Sequence, residues 1–428
     1  MDPVRRWLTM FILCFSGGII FMLPFLREVY YIPMQEALGY DNTQMGILMS
    51  VFGTFSLIAY FPGGWIADRY SPRKLMTFSL LTTGLGGIWL STYPSYEINI
   101  AIHAFWGANI SLLFWSAMIK ATRNWASADE QGRAFGILES GRGLSEVGSS
   151  SLLLMLFAWL GSDNYALSAV INGFAAINIG LAILAWIFLD DTVAENAVAK
   201  NAVAKNAVAN KEENSSHAVG FAEVLEVLKM PGVWLISLVV LTAYSAYWGT
   251  FYFAAYSSDV FMLSVVAGAS VGVGKMWLKP IAALAAGFLG DAFGISKTVL
   301  GFLMVTTLCF FVFALLPGGS QNLIPMLVVV GISSLSVFAL RGIYFALLEE
   351  GGIKPALTGT AAGVVSAVGF TPDIYMPLLG GVLLDQYPGE TGYQYIYLAI
   401  AGMCLIGCIS AYLIVRSSSV ITPNLRRN

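Results

Sequence analysis

GGWIADRYSPRK, at residues 63–74, is a short charged segment between two long apolar runs. A related stretch, GFLGDAFGISK at residues 287–297, separates two apolar runs later in the chain. Each stretch contains an aspartate shortly before the next run, and these residues, Asp68 and Asp291, lie 223 positions apart. The pattern indicates that one structural unit occurs twice.

A second pair of segments supports this duplication. GRAFGILESGRGLSEVG begins at Gly132, and GTAAGVVSAVGFTPDIY begins at Gly359, which is an offset of 227 positions. The alignment places Glu146 opposite Asp373. Because the two offsets are nearly equal, the sequence predicts two related halves.

The composition is that of a chain that lies mostly in a membrane. Of 428 residues, 57% are hydrophobic and only 11% are charged, whereas soluble domains are about 25% charged. This excludes a soluble enzyme and a disordered chain, and a net charge of −3 gives no reason to expect a nucleic-acid partner. The four cysteines lie in apolar runs and there are two histidines, so we expect neither a disulfide framework nor a metal or other cofactor.

Twelve apolar runs are long enough to cross a bilayer, which takes about 20 helical residues. The sequence therefore predicts an all-α membrane protein with twelve transmembrane helices in two pseudo-symmetric six-helix bundles. The predicted spans are 7–31, 43–66, 75–93, 98–121, 134–160, 164–189, 231–256, 262–290, 295–317, 324–348, 358–384 and 392–415.

The positions of lysine and arginine predict the orientation of the spans. Every second connection lacks both residues, whereas 17 of the 22 lie in the other connections, at the adjoining span ends or in the termini. Since cytoplasmic loops are enriched in Lys and Arg, both termini are expected in the cytoplasm and the protein in the cytoplasmic (inner) membrane. The outer loops are 31–42, 94–97, 161–163, 257–261, 318–323 and 385–391.

A long polar segment separates the two sets of six spans. It predicts an N-terminal bundle at 1–189, a cytoplasmic linker at 190–228 and a C-terminal bundle at 229–428. The linker contains the low-complexity repeat AENAVAKNAVAKNAVANKEEN, which we interpret as a polar tether. The amphipathic stretch at 220–230 is expected to lie at the inner membrane surface.

The segment at 63–74 resembles the loop-two motif of the major facilitator superfamily. It has the pattern G-x-x-x-D-R-x-x-x-R-K, and the twelve spans, 6+6 division and long central loop also match that family. The resemblance implies a conformational latch in which Asp68 caps a second-half helix and Arg69 and Arg73 pair with inner-side acids. Gly64 would allow close helix approach, and Asp291 marks the second copy.

Span five resembles that of sugar-phosphate and organic-anion permeases more than that of drug exporters. In EQGRAFGILESGRGLSEVG a basic residue, Arg142, occupies the position that those permeases use for substrate contact. The glycine-proline signature of exporters is absent, since the sequence reads GSSS at 148–151. The chain departs from the sugar-phosphate permeases by concentrating cations in spans eight and ten.

Seven charged residues lie inside the predicted spans and away from their ends, where a charge costs several kcal/mol and marks a candidate functional site. Span five carries Glu139, Arg142 and Glu146, which spacings of three and four place on one helical face. The other four are Lys275 and Lys279 in span eight, Arg341 in span ten, and Asp373 in span eleven.

The four cations exceed the three acids, so pairing among them leaves a positive charge that attracts an anion. We expect Arg142, Arg341, Lys275 and Lys279 to supply contacts to a small anionic substrate. The alternative is that all seven charges form structural or gating ion pairs. For Lys279 a further alternative is that its ammonium extends toward the inner surface.

Aromatic residues of span seven recur at helical spacing. Because the resemblance implies that spans one, four, seven and ten line the cavity, we expect Tyr244, Tyr247 and Trp248 to face the substrate. The alternative is a packing stripe. Near the outer end of span one, Arg27 and Glu28 are interpreted as interfacial anchors, and the alternative is a gate at the outer mouth. Near the outer end of span four, His103 is interpreted as a packed polar residue, and the alternative is a proton relay.

The sequence predicts a secondary transporter that works by alternating access, with the proton as coupling ion and a lipid bilayer as its surroundings. Because burial and nearby cations shift carboxyl protonation, Glu139, Glu146 and Asp373 are the candidate proton carriers. The alternatives are a proton-driven exporter of a drug-like molecule or siderophore, and a transporter-like sensor. No enzyme-type constellation occurs in a loop, and a monomer is expected.

Overall fold

The structure, a computed structural model, describes residues 3–126, 130–189, 221–353 and 357–425. The first half forms α1 (Pro3–Ile19), α2 (Arg27–Leu38), α3 (Asn42–Arg69), α4 (Pro72–Leu90), α5 (Tyr96–Asn109), a π-helical segment (Ile110–Trp115), α6 (Ser116–Trp125), α7 (Gln131–Trp159) and α8 (Asn164–Phe188). Most of the linker with its repeat, residues 190–220, lies outside the described residues.

The second half begins with α9 (Phe221–Leu228) and continues with the helices of spans seven to twelve. These are α10 (Pro231–Gly249), α11 (Phe253–Asp259), α12 (Val265–Met276), α13 (Leu278–Phe293), α14 (Ile295–Leu315), α15 (Leu323–Ile343), α16 (Leu347–Glu350), α17 (Thr358–Gly369), α18 (Pro372–Gln386) and α19 (Glu390–Leu425). Short 3₁₀ turns join α10 to α11 and α15 to α16.

Helices cover all twelve predicted spans, which confirms the fold class. Within the described residues, nine helical segments are long and apolar enough to cross a membrane. The remaining three spans are helical as well. Span one is interrupted after Ile19, span three is rich in glycine and hydroxyl side chains, and span five carries three ionisable residues.

Contacts group the chain into two compact units that do not follow the midpoint of the sequence. Unit one comprises Met1–Leu26 and Val51–Ala218, and unit two comprises Arg27–Ser50 and Val219–Asn428. The second part of span one and the first part of span two therefore pack in the same unit as the second half of the chain.

In unit two, α10 contributes a buried apolar face to the core. Val233, Ile236, Val240 and Ala243 recur at helical spacing, and all are fully buried. They belong to the same buried cluster as Ala361 and Val365 of α17 and Ala411 and Ile414 of α19, the two helices against which α10 packs most extensively. Small and β-branched side chains let helices approach closely, and close packing is what associates helices in a membrane.

Side chains cap several helix ends at the short connections. Asp163 accepts a hydrogen bond from the backbone N–H of Ala166 at 2.8 Å and so caps α8. At the junction of α13 and α14, Gly294 has a φ of 91°, a conformation that favours glycine. The Glu350 carboxylate accepts from the backbone N–H groups of Ile295 at 2.8 Å and Ser296 at 2.9 Å. The start of α14 thus has a carboxylate cap from α16.

Candidate functional site

Arg341, near the end of α15, lies among tyrosines of unit two. Its guanidinium carbon is 3.8 Å from the ring centroid of Tyr247 and 5.6 Å from that of Tyr244. The Tyr344 hydroxyl is also within electrostatic range. Nη1 of Arg341 is buried without a hydrogen-bond partner, and among the described residues no carboxylate lies within ion-pair distance of this side chain. The tyrosine rings thus lie against a guanidinium that forms no ion pair with the described residues.

Asp373 lies in the same unit, in the first turn of α18. Pro372 precedes it at the start of that helix, where a proline costs no backbone hydrogen bond. The carboxylate accepts a hydrogen bond from Nε1 of Trp248 at 2.8 Å, and it interacts electrostatically with Arg341 and Tyr244. The structure therefore brings together Arg341, Asp373 and the three aromatic residues predicted on span seven.

Lys275, in α12, forms a buried ion pair. Its Nζ is 2.7 Å from a carboxylate oxygen of Glu28, and both side chains are at most 5% exposed. The same nitrogen donates to the carbonyl of Thr250 at 2.6 Å and to its hydroxyl at 2.8 Å. Since an ammonium has three protons, these three bonds use its donors completely. The geometry fits the gating alternative for Lys275 better than substrate contact.

Lys279 lies one turn beyond Lys275 in the helical segment Val265–Phe293, which has a turn at Trp277 between α12 and α13. Its side chain is half-buried in the first turn of α13. Its predicted role in substrate contact stays a prediction.

Arg27 and Glu28 are buried, with 2% and 4% exposure, so their interpretation as interfacial anchors is wrong. Nη1 of Arg27 donates to the carbonyl of Met45 at 2.9 Å. Its guanidinium carbon lies 4.7 Å from the ring centroid of Tyr31 and 5.5 Å from that of Tyr252. Its Nε and Nη2 are buried without hydrogen-bond partners in the described chain. These two nitrogens form one edge of the guanidinium, which matches two oxygens of an anion.

Unit one contains the predicted charge cluster of span five. Nη1 of Arg142 is 2.6 Å from the carboxylate of Glu139, and Nε donates to the carbonyl of Gly17 at 3.2 Å. The guanidinium carbon lies 5.0 Å from the ring centroid of Trp115. Glu146 is half-buried one turn further along α7. The predicted pairing of Arg142 with an acid of its own helix is therefore present, with Glu139 as the partner.

Trp115 ends the π-helical segment of span four. Such segments shift the register of a helix and occur frequently at functional sites. Here the segment places the Trp115 ring beneath Arg142, in unit one. The sequence analysis did not single out Trp115, because the apolar run ISLLFW at 110–115 carries no signal for a change in helical register.

Arg27 and Tyr344 are two further candidates that the structure adds, and neither was predicted from the sequence. Arg27 offered a signal, since an arginine inside an apolar run is unusual. Its position near the predicted end of span one favoured the interfacial interpretation instead. Tyr344 lies in a 3₁₀ turn, outside the helical spacing that identified the tyrosines of span seven.

The predicted latch residues lie in and beside α3 and α13. The surroundings of Gly64 and the side chain of Asp68 lie outside the described part of the structure, so the helix cap by Asp68 stays a prediction. Within unit one, the Arg69 guanidinium lies 3.7 Å from the Trp65 ring, and that of Arg73 lies 4.4 Å from the Trp186 ring. Asp291 is exposed and makes no hydrogen bond or ion pair with the described residues.

His103 is a packed polar residue, as predicted. It is 2% exposed, its Nδ1 lies 2.9 Å from the carbonyl oxygen of Asn99, and its ring meets that of Trp106 edge-on at 5.2 Å. Among the described residues, no group of three or more His, Cys, Asp or Glu side chains has the spacing to hold a metal ion.

The family model of the Major Facilitator Superfamily matches residues 6–372. The chain belongs to this superfamily. It is 30% identical to the inner membrane protein YqcE of Escherichia coli over 96% of this chain and 94% of that protein. It is 28% identical to the inner membrane protein YihN of the same organism, over 97% of this chain and 96% of the relative.

More distant relatives have names that state what they transport. The nitrate/nitrite transporter NarU of Escherichia coli is 24% identical over 86% of this chain and 83% of that protein. A probable hexose phosphate transport protein of Chlamydia trachomatis is 27% identical over 30% of this chain and 28% of that protein. These matches confirm the resemblance to anion and sugar-phosphate permeases.

A solved structure shares the fold. It is a bacterial homolog of the human lysosomal transporter Spinster in an inward-facing, unoccupied conformation, with a TM-score of 0.73 and 12% identity over 97% of this chain and 98% of that one. The protein is thus a membrane transporter of this superfamily and not an enzyme.

Proposed function

We propose that this transporter moves a small organic anion, such as a carboxylate, sulfonate or phosphate ester, across the cytoplasmic membrane by alternating access. The observation that carries the proposal is the state of two arginines in unit two. Arg27 has two buried guanidinium nitrogens without hydrogen-bond partners and Arg341 has one, and no carboxylate lies within ion-pair distance of either among the described residues.

Physical chemistry explains why such arginines favour an anion. A buried charge without a partner is costly, and arginine does not lose its proton in proteins. An anionic ligand offsets that cost, and an arginine edge can bond two of its oxygens at once. Tyr244, Tyr247 and Trp248 would flank the ligand at Arg341. Arg142 remains a candidate substrate contact within unit one.

The relatives support the same class of substrate. One is named as a nitrate/nitrite transporter and another as a probable hexose phosphate transport protein, so both names refer to anions. The two relatives that match nearly the whole chain are named as inner membrane proteins. Together with the distribution of Lys and Arg, these names support a location in the cytoplasmic membrane with both termini inside. We expect the monomer to be the working unit.

The coupling ion in this proposal is the proton, in uptake or exchange. Asp373 is the strongest carrier among the three candidate acids, because it lies beside Arg341 without forming an ion pair. An anion that binds Arg341 would weaken its attraction for Asp373 and so favour protonation of the carboxylate. Glu139 is already paired with Arg142, and Glu146 remains a candidate.

A thermal-shift screen of the purified protein tests the substrate class. Carboxylates, sulfonates, phosphate esters, neutral sugars and bulky organic cations are compared, because a ligand that binds only the folded state stabilises it. We expect one group of anions to raise the unfolding temperature. In Arg341→Gln the Kd of such an anion should rise about 10–100-fold, as expected for loss of a charged hydrogen bond.

The matched control is Arg133→Gln, which removes an exposed arginine at the start of α7 and should leave the Kd unchanged. A shift by bulky cations or neutral amphiphiles alone would contradict the proposal. It would assign the buried cations to gating and make the proton-driven exporter the leading function.

A further inference from the structure

The segment GGWIADRY at 63–70 has a second counterpart, GGVLLDQY at 380–387, with the shared pattern G-G-x-x-x-D-x-Y. The first copy lies at the end of span two and the second at the end of span eleven. Because these spans cross the membrane in opposite directions, the copies are expected on opposite sides, the first inside and the second outside. Repeats of inverted topology within each half of such transporters give this relation.

In the second copy, Asp385 caps the start of α3. One carboxylate oxygen accepts from the backbone N–H of Asn42 at 3.1 Å and from its side-chain amide at 2.8 Å. The other accepts from the backbone N–H of Thr43 at 2.7 Å and from its hydroxyl at 2.5 Å. A carboxylate at a helix N-terminus is favourable because it satisfies free N–H groups and the helix dipole.

Glycines bring α18 and α3 into backbone contact beside this cap. A Cβ atom on Gly381 would collide with the carbonyl of Asn42, and one on Gly46 would collide with the carbonyl of Pro377. In the first copy the close approach occurs at the first glycine of the pattern, Gly63, where a Cβ would lie 2.9 Å from the carbonyl oxygen of Ser111. In both copies a glycine therefore allows the helix to approach another backbone closely.

Further bonds connect α2 to the same point. The Tyr31 hydroxyl donates to Oδ1 of Asn42 at 2.9 Å, and the Gln35 amide donates to the same oxygen at 3.0 Å. With the ion pair of Glu28 and Lys275, these bonds hold residues 27–50 within unit two.

We propose that Asp385 is an outer latch, the counterpart on the outer side of the latch predicted for Asp68 on the inner side. While its four hydrogen bonds are formed, the outer ends of spans one and two are attached to span eleven. Opening of the outer side requires these bonds to break. The latch follows from the hydrogen bonds and the repeat alone, so it holds whatever the substrate is.

The rate at which a cysteine introduced at a buried position reacts with a labelling reagent measures this opening. Val29 of α2 is 8% exposed, and its Cα lies 3.7 Å from the position of a Cβ built on Gly272 in α12. Val29→Cys should therefore react with a membrane-impermeant maleimide only when α2 separates from α12. The native cysteines are buried or half-buried, and the protein without Val29→Cys gives their background.

We expect Asp385→Asn to raise the labelling rate of Val29→Cys about 2–30-fold, because an amide has one acceptor oxygen where the carboxylate uses two. This range is the effect of a lost helix cap, ~0.5–2 kcal/mol, at tenfold per ~1.4 kcal/mol. Thr43→Val removes one of the four bonds at nearly constant size and should raise the rate less. It also tests the latch if Asp385→Asn does not fold.

Asp163→Asn is the matched control, because Asp163 also caps a helix but does so within its own connection. It should leave the labelling rate of Val29→Cys unchanged. Equal rates in Asp385→Asn, Thr43→Val and the parent would overturn the proposal. An increase of the same size in Asp163→Asn would overturn it as well, because the effect would then be general loss of stability.

Discussion

Replacing Lys275 by methionine removes one partner of the buried ion pair in unit two. Methionine has a similar length but no charge, so the carboxylate of Glu28 stays buried without its cation. The pair distance of 2.7 Å and exposures of at most 5% place both groups away from water. Breaking such a pair from one side costs about 3–5 kcal/mol, which is a large loss of stability.

The second substitution, Glu28→Gln, is expected to lower stability in the parent protein and to raise it in the Lys275→Met variant. In the parent protein it removes the charge that compensates Lys275, and we expect a loss of about 1.5–3 kcal/mol, as for a charged hydrogen bond. In the Lys275→Met background it removes the uncompensated carboxylate instead. There it should raise stability, because a neutral amide costs less to bury than a carboxylate.

The assay is the unfolding temperature of each purified variant in detergent, followed by tryptophan fluorescence. The control is the pair of Arg6 and Glu130, with the same 2.7 Å separation but 36% and 34% exposure. For Arg6→Met and Glu130→Gln we expect about 0–1 kcal/mol and nearly additive effects, because half-exposed pairs contribute little.

The reasoning fails if Glu28→Gln lowers the unfolding temperature further in the Lys275→Met background. It also fails if the single Lys275→Met change is no larger than Arg6→Met. Either result would mean that the pair is hydrated in the folded protein and that its burial does not determine its energetics.

Two further predictions concern the carboxylates of Glu350 and Asp373. Glu350→Gln should lower the unfolding temperature by the equivalent of about 1–2 kcal/mol, because the cap of α14 is weakened. The control is Glu349→Gln, which changes the exposed neighbour. Equal losses of stability in both variants would refute the role of Glu350 as a cap. Asp373→Asn should retain ligand-induced thermal stabilisation but lose the dependence of uptake into vesicles on an imposed pH gradient. Asp291→Asn should keep that dependence, and an unchanged pH dependence in Asp373→Asn would exclude this carboxylate as the proton carrier.

The spans were predictable because a bilayer imposes a length and a composition on each helix. The interruptions inside them were not. Residues 20–26 between α1 and α2 are as apolar as a helix interior, and only Pro24 hints that the helix breaks there. The π-helical segment at Ile110–Trp115 is likewise invisible, because its side chains are those of an ordinary apolar helix.

The residues of the candidate site were also only partly predictable from the sequence. Helical spacing predicted the aromatic face at Tyr244, Tyr247 and Trp248, which the structure places beside Arg341 and Asp373. The pairing of Glu28 with Lys275 was not predictable, since the partners are nearly 250 positions apart and no local pattern connects them. Burial of Arg27 has the same cause, because its environment is formed partly by Tyr252 of span seven.

Spans one and two each belong to both units, and this division has a mechanical consequence. In span one the two parts are joined by residues 20–26, which form hydrogen-bonded turns in place of a regular helix. A change of direction there breaks only a few backbone hydrogen bonds, such as the one from Phe25 to the carbonyl of Phe21. In span two, α3 runs unbroken across the boundary at Ser50 and Val51. Any rotation between the units must therefore bend α3. The bend is expected at Gly53 or Pro62, because glycine and proline are the residues at which helices kink.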